Sequence, residues 1–181
     1  MSRALDLLKQ ADDLLALDPR RPRQVNLQRA ISNAYYALFH HLIEQAVPAS
    51  LGQDRSPEAR QIARSMSRWY GHGQMKDTAN WFRRAGKIPP RVAALLGRSS
   101  LSPRGIVPVE LERVATAFAN LQEARHIADY DVGARFTRSQ AQEYVRVARN
   151  ALADWEVVAT TGVGRLFLLL LLTGEAPVLT R

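Results

Sequence analysis

The stretch Asn26 to Ala46, NLQRAISNAYYALFHHLIEQA, constrains the chain most, because it writes three stripes on one helix. Leu27, Ile31, Ala34, Leu38 and Leu42 recur at helical spacing and mark a core face, which Tyr35, Phe39 and Ala46 widen. Asn33, Tyr36, His40 and Glu44 fall on a third stripe at steps of three and four. A helix facing only water carries Lys and Glu there. A polar and aromatic stripe implies either mutual hydrogen bonding at a helix crossing or a pocket, and the spacing alone leaves both open.

The remaining chain reads as helix throughout. Ser2 caps a first helix with Ala4, Leu7, Leu8, Ala11, Leu14 and Leu15 on one face, which stops before Pro19. After Pro48 to Gln53, Ser56-Pro57-Glu58 is a strong start for a helix burying Ala59, Ile62, Ala63, Met66, Trp69 and Tyr70, and Gly71-His72-Gly73 breaks it. Met75 to Arg84 forms another helix, with Met75, Ala79 and Phe82 inside. A long helix from Val109 places Leu111, Val114, Ala115, Phe118 and Leu121 in the core, then runs into Arg125 and Asp129 on the same side. Thr137 and Gln140 have the reciprocal capping spacing for a further helix, with Ala141, Tyr144, Val145, Ala148, Leu152 and Trp155 on its core face. The expected fold is all-α, an antiparallel bundle of five or six helices in one domain spanning 1–181. Within it, 85–108 is a long basic proline-rich loop and 162–181 an apolar extension whose Leu166 to Leu172 run is buried.

Composition narrows the chemistry. The chain has no cysteine, which excludes disulfides and thiolate metal sites. Its longest apolar run is far below the ~20 residues of a membrane span, and no signal-peptide pattern opens it, so no membrane is expected and the expected compartment is the cytoplasm. The formal net charge of +8 is concentrated: residues 55–104 hold eleven Lys or Arg against two Asp or Glu, whereas the flanking segments balance. Arg60, Arg64, Arg68, Lys76, Arg83, Arg84 and Lys87 are therefore the candidate nucleic-acid contacts, set against the alternative of a merely solvated basic face. Glu123-x-x-His126 has no second pair to complete a di-metal site, and no phosphate-binding loop is present, so neither metal nor cofactor is expected.

Two signatures then combine: Arg29-Ala30-x-x-x-Ala34-Tyr35-Tyr36-Ala37-x-Phe39-His40, and Arg125-x-x-Ala128-Asp129-Tyr130-Asp131. In this order the chain resembles the HEPN superfamily (higher eukaryote and prokaryote nucleotide-binding domains), in its small stand-alone prokaryotic branch, over roughly residues 1 to 160. The resemblance implies a dimerising helical bundle of toxin–antitoxin, phage-defence or other RNA-targeting systems, many members being metal-independent ribonucleases. In those, an Arg and a His with four to six residues between them meet their copies across the dimer seam. The His moves a proton and the Arg steadies the phosphorane. In this chain the corresponding positions after Arg125 are Tyr130, Asp131 and Val132, and the nearest miss elsewhere is Arg68 to His72. Surface carboxylates and phenols titrate far from neutral pH, so they do not replace a histidine. The implied catalytic set is Arg125, Asp129 and Tyr130 with His40, His41 or His126. Asn33, Tyr36, His41 and Asp131 are the motif or interface positions. The competing reading is a non-catalytic interaction module, or antitoxin-like partner, bound to another protein such as a nucleotidyltransferase or other defence component.

Overall fold

The computed structural model describes residues 2–52, 54, 56–66, 68, 70–83, 89–95 and 107–174. Trp69, Arg84, Lys87, most of the 85–108 loop and the end of the 162–181 extension lie outside them. The described chain is all-helical, with no strand. Its eight helices are α1 (Arg3–Ala16), α2 (Gln24–Leu51), α3 (Pro57–Met66), α4 (His72–Phe82), α5 (Pro90–Leu95), α6 (Val109–Tyr130), α7 (Arg138–Val158) and α8 (Gly162–Thr173). The number exceeds five or six for two reasons: α5 forms within the proline-rich connection, and the leucine-rich segment is a helix of its own rather than a continuation of α7.

Several boundaries differ from those the sequence suggests. Helix α2 continues through Pro48 to Leu51 instead of ending near Ala46. Proline removes the donor that would reach the Glu44 carbonyl, and in the last turn the Ser50 hydroxyl donates to the Ala46 carbonyl at 2.9 Å. Gly73 lies inside α4, whose N-cap is Gly71, so the Gly-His-Gly run starts this helix. Ile62, expected inside, is exposed on α3, whereas Ala59 and Ala63 line a cavity with Val47, Pro48 and Leu51.

The helices group into two compact units, one of Met1–His41 with Ala117–Ala153, the other of Leu42–Thr116 with Asp154–Arg181. In the first, α2 supplies the buried face expected of it: Leu27, Ile31, Ala34, Tyr35 and Leu38 are fully buried. Its partners run in the opposite sense along the chain. Gln24 exchanges two 2.9 Å hydrogen bonds with the Phe136 backbone, Ser32 donates to Asp129, and the Tyr35 ring lies 5.6 Å from that of Phe118. Rising numbers on one side against falling numbers on the other are the mark of antiparallel packing. The same holds for α1 and α7, where Arg149 pairs with Asp12 at 2.7 Å and Arg138 donates to the Asp18 carbonyl at 2.8 Å. Asp18 adopts a left-handed φ of 52° in the turn after α1, where its carboxylate accepts from Arg23 and Asn26.

In the second unit, α4 and α8 pack antiparallel: Gln74 donates to the Leu172 carbonyl at 2.6 Å, Thr78 to the Leu170 carbonyl at 3.1 Å, and Phe82 meets Phe167 edge-on at 5.0 Å. Phe167, Leu168, Leu170 and Leu171 are buried, but Leu169 of the same run, expected inside, is 40% exposed. Thr161 caps α8 by accepting from Gly164 N–H, and Gly174 closes it at a φ of 68°. Among the described residues, no helix is long and apolar enough to cross a membrane.

Candidate functional site

The first unit assembles the motif residues on α2 and α6. An apolar stripe on α6 turns polar one helical turn after Leu121, which puts Arg125 and Asp129 opposite the Ser32 to Tyr36 edge of α2. Arg125 Nη2 donates to the Tyr36 hydroxyl at 2.7 Å. Its Nε lies 2.7 Å from Asp129 Oδ2, and the Ser32 hydroxyl donates to Asp129 Oδ1 at 2.6 Å. The Arg125 and Asp129 side chains keep only 15% and 19% of their surface exposed, so this pair is shielded far more than an ordinary i, i+4 bridge on a helix surface.

Rings extend the cluster on both sides of the guanidinium. The Arg125 Cζ lies 5.4 Å from the Tyr36 ring centre and 5.3 Å from that of Tyr130. His40 stacks on Tyr36 at 6.1 Å, and His126 lies 5.1 Å from Tyr130. The order is thus His40, Tyr36, Arg125, Tyr130, His126. Burial works against the charge on Arg125, but the Tyr36, Asp129 and Tyr130 oxygens outweigh it and hold the guanidinium above its ordinary pKa. Burial also pushes the Tyr35 hydroxyl well above the usual tyrosine range, partly opposed by Arg125. Arg125 is therefore a fixed cation, and among the described residues its Nη1 makes no hydrogen bond.

No family model, no curated protein and no solved structure matches this chain. The site is accordingly read from its own geometry. Of the candidate catalytic residues, His40, Arg125, Tyr130 and His126 fall in that row, and Asp129 flanks it through Arg125. Asn33 does not join them: its amide donates to Gln10 on α1 at 2.9 Å. Asp131 shapes the turn after α6, accepting from Gly133 N–H at 2.9 Å and Ala134 N–H at 3.2 Å. His41 is half-buried one position round α2 from His40. Ser32 was not foreseen, although a hydroxyl one turn before Tyr36 in an otherwise apolar face is a readable signal for a buried polar partner. Among the described residues, no three His, Asp or Glu side chains gather as a metal ion would require.

The basic residues of the second unit stand apart from this cluster in kind. Arg60, Arg64 and Arg68 are exposed, and no described ion pair or side-chain hydrogen bond engages them. Arg83 and Lys76 are half-buried. By contrast, Arg113 is committed: it grips Asp154 with both Nε at 2.8 Å and Nη2 at 2.6 Å. Arg60 and Arg64 lie one turn apart on α3, and Arg68 follows in the turn after it.

Proposed function

We propose that this chain is a HEPN-like RNA-binding protein of a defence or toxin–antitoxin system, acting in the cytoplasm as a homodimer. The observation that carries this reading is the Arg125 site: a shielded, permanently charged guanidinium between two tyrosine rings, with a histidine at each end of the row. An anionic backbone and unpaired bases are what such a row suits, since cation and aromatic faces meet phosphate and base separately. Uncommitted Arg60, Arg64 and Arg68 add the longer-range attraction. The row also holds the parts of a metal-independent cleavage. His126 or His40 takes the proton of the 2′-hydroxyl as that oxygen attacks phosphorus, Arg125 Nη1 steadies the phosphorane with Asp129 and Tyr36 fixing its position, and the P–O5′ bond breaks as the imidazolium returns the proton to the leaving oxygen.

The test is RNA retention between about 50 and 200 mM salt, where neutralised phosphates give a steep loss. The triple variant Arg60→Ala, Arg64→Ala, Arg68→Ala flattens the slope by about one per lost phosphate contact. Wild-type protein without salt-sensitive RNA affinity overturns the proposal.

A second reading, a non-catalytic module for a protein partner such as a nucleotidyltransferase, draws support from a specific feature. Two of the three Arg125 nitrogens are already engaged within the chain, and Ile127, Tyr130 and Val132 are exposed where α6 ends. It predicts a stoichiometric protein complex that survives removal of RNA by added ribonuclease.

A further inference from the structure

Tyr130 is the last residue of α6 and 64% exposed, an unusual position for a large ring that is also held in place. One contact is with the Arg125 guanidinium at 5.3 Å and another with the His126 ring at 5.1 Å. Beside it the turn 131–133 forms an open hollow, lined by His126, Ile127, Tyr130, Asp131, Val132 and Gly133. Val132 is 91% exposed. Arg135, exposed, folds back on this turn, with Nη1 donating to the Val132 carbonyl at 3.3 Å and the Ala134 carbonyl at 3.1 Å; among the described residues its other nitrogens make no hydrogen bond.

We infer that this hollow binds one unstacked nucleotide of a single-stranded nucleic acid, its base lying on the free part of the Tyr130 ring and its phosphate on Arg135. Three features favour this occupant. The ring is preorganised by its contacts with Arg125 and His126, so stacking orders little that is not already ordered. A planar base has a π-face whatever its identity, and an exposed aromatic is the ordinary platform for it. Charge completes the match: Asp129 is paired with Arg125, Asp131 accepts from two backbone N–H groups of its own turn, and the exposed Arg135 is tied to the Val132 carbonyl of that turn. A duplex offers no exposed base face here, so the site selects single strands.

This inference rests on the nucleic-acid reading above, and the experiment separates the two. Fluorescence anisotropy is measured with a labelled single-stranded RNA and with an abasic ribose-phosphate strand of equal length. Replacing Tyr130 with Ala is expected to weaken the RNA about five- to a hundredfold, to leave the abasic strand unchanged, and to keep the salt slope. Tyr130→Phe restores RNA affinity, because stacking needs the ring and not the hydroxyl. Arg135→Ala weakens both strands and lowers the slope by about one. Wild-type binding with no effect of Tyr130→Ala overturns the stacking site and leaves the broader reading standing. A loss equal on both strands, or a change in oligomeric state by sedimentation, assigns Tyr130 to structure or to self-association and likewise overturns it. No binding by wild type removes both.

Discussion

Tyr36 and Arg125, far apart in the chain, meet through a 2.7 Å hydrogen bond from Nη2 to the phenolic oxygen, with the guanidinium also 5.4 Å from the ring centre. Removing only the hydroxyl leaves a shielded cation short of an acceptor. Tyr36→Phe is expected to destabilise the protein by about 1–3 kcal/mol. In a double-mutant cycle with Arg125→Met, the two losses fall well short of adding, since both delete the same contact. Urea unfolding of the four proteins measures the coupling, and strict additivity refutes it.

Gly164 and Gly73 sit in helices with opposite surroundings. A Cβ at Gly164 overlaps the Val158 carbonyl, a backbone atom that cannot swing aside, whereas one at Gly73 meets nothing within 4 Å. Gly164→Ala therefore costs about 1–3 kcal/mol through forced displacement of the α7–α8 junction. Gly73→Ala gains up to about 1 kcal/mol by restricting the unfolded chain. Thermal unfolding followed by circular dichroism gives the two signs.

Burial pushes the Tyr70 hydroxyl up to about 12 from its ordinary 10.0, and among the described residues that oxygen has no hydrogen-bond partner. The folded state holds this proton more tightly than the unfolded chain. Stability is thus fully present below about pH 10 and falls as pH rises from 10 towards 12. Tyr70→Phe removes the titration and an unsatisfied polar atom together. It is expected to be neutral or slightly stabilising at pH 7, and to lose less stability between pH 10 and 12 than wild type, with Tyr35 supplying the residual loss. Equal losses in both proteins contradict the assignment.

Thr137 and Gln140 cap α7 reciprocally: Thr137 N–H donates to Gln140 Oε1 at 2.8 Å, and Gln140 N–H to Thr137 Oγ1 at 3.2 Å. Thr137→Ala breaks one half and costs about 1 kcal/mol. Amide exchange resolves it locally, with faster exchange in the first turn of α7 and little change in α4.

Local patterns made much of this legible. The stripe on α2, the cap before α7 and the mostly buried run in α8 each depend on residues within a few turns, and chemistry at that range is set by spacing. Where expectations moved, the differences lay at pattern edges: α2 runs on through Pro48 to Leu51, with the Ser50 hydroxyl on the Ala46 carbonyl, and Ile62 of α3 stays in water. The row of motif residues was only partly visible, because the sequence placed Tyr36 and His40 on one edge and Arg125 and Asp129 on another without stating which atoms meet.

Residue order alone was enough to specify helices, an apolar face for each, a charge-dense middle segment and two motif edges, since periodicity and composition are properties of the chain itself. The choice of Ser32 rather than Asn33 as the second partner of Asp129, the pinning of Arg125 between Tyr36 and Tyr130, and the exposure of Tyr130 required the antiparallel register of α2 against α6. Register is fixed by how two apolar surfaces interlock along their whole length, a collective packing energy that no short stretch of sequence carries.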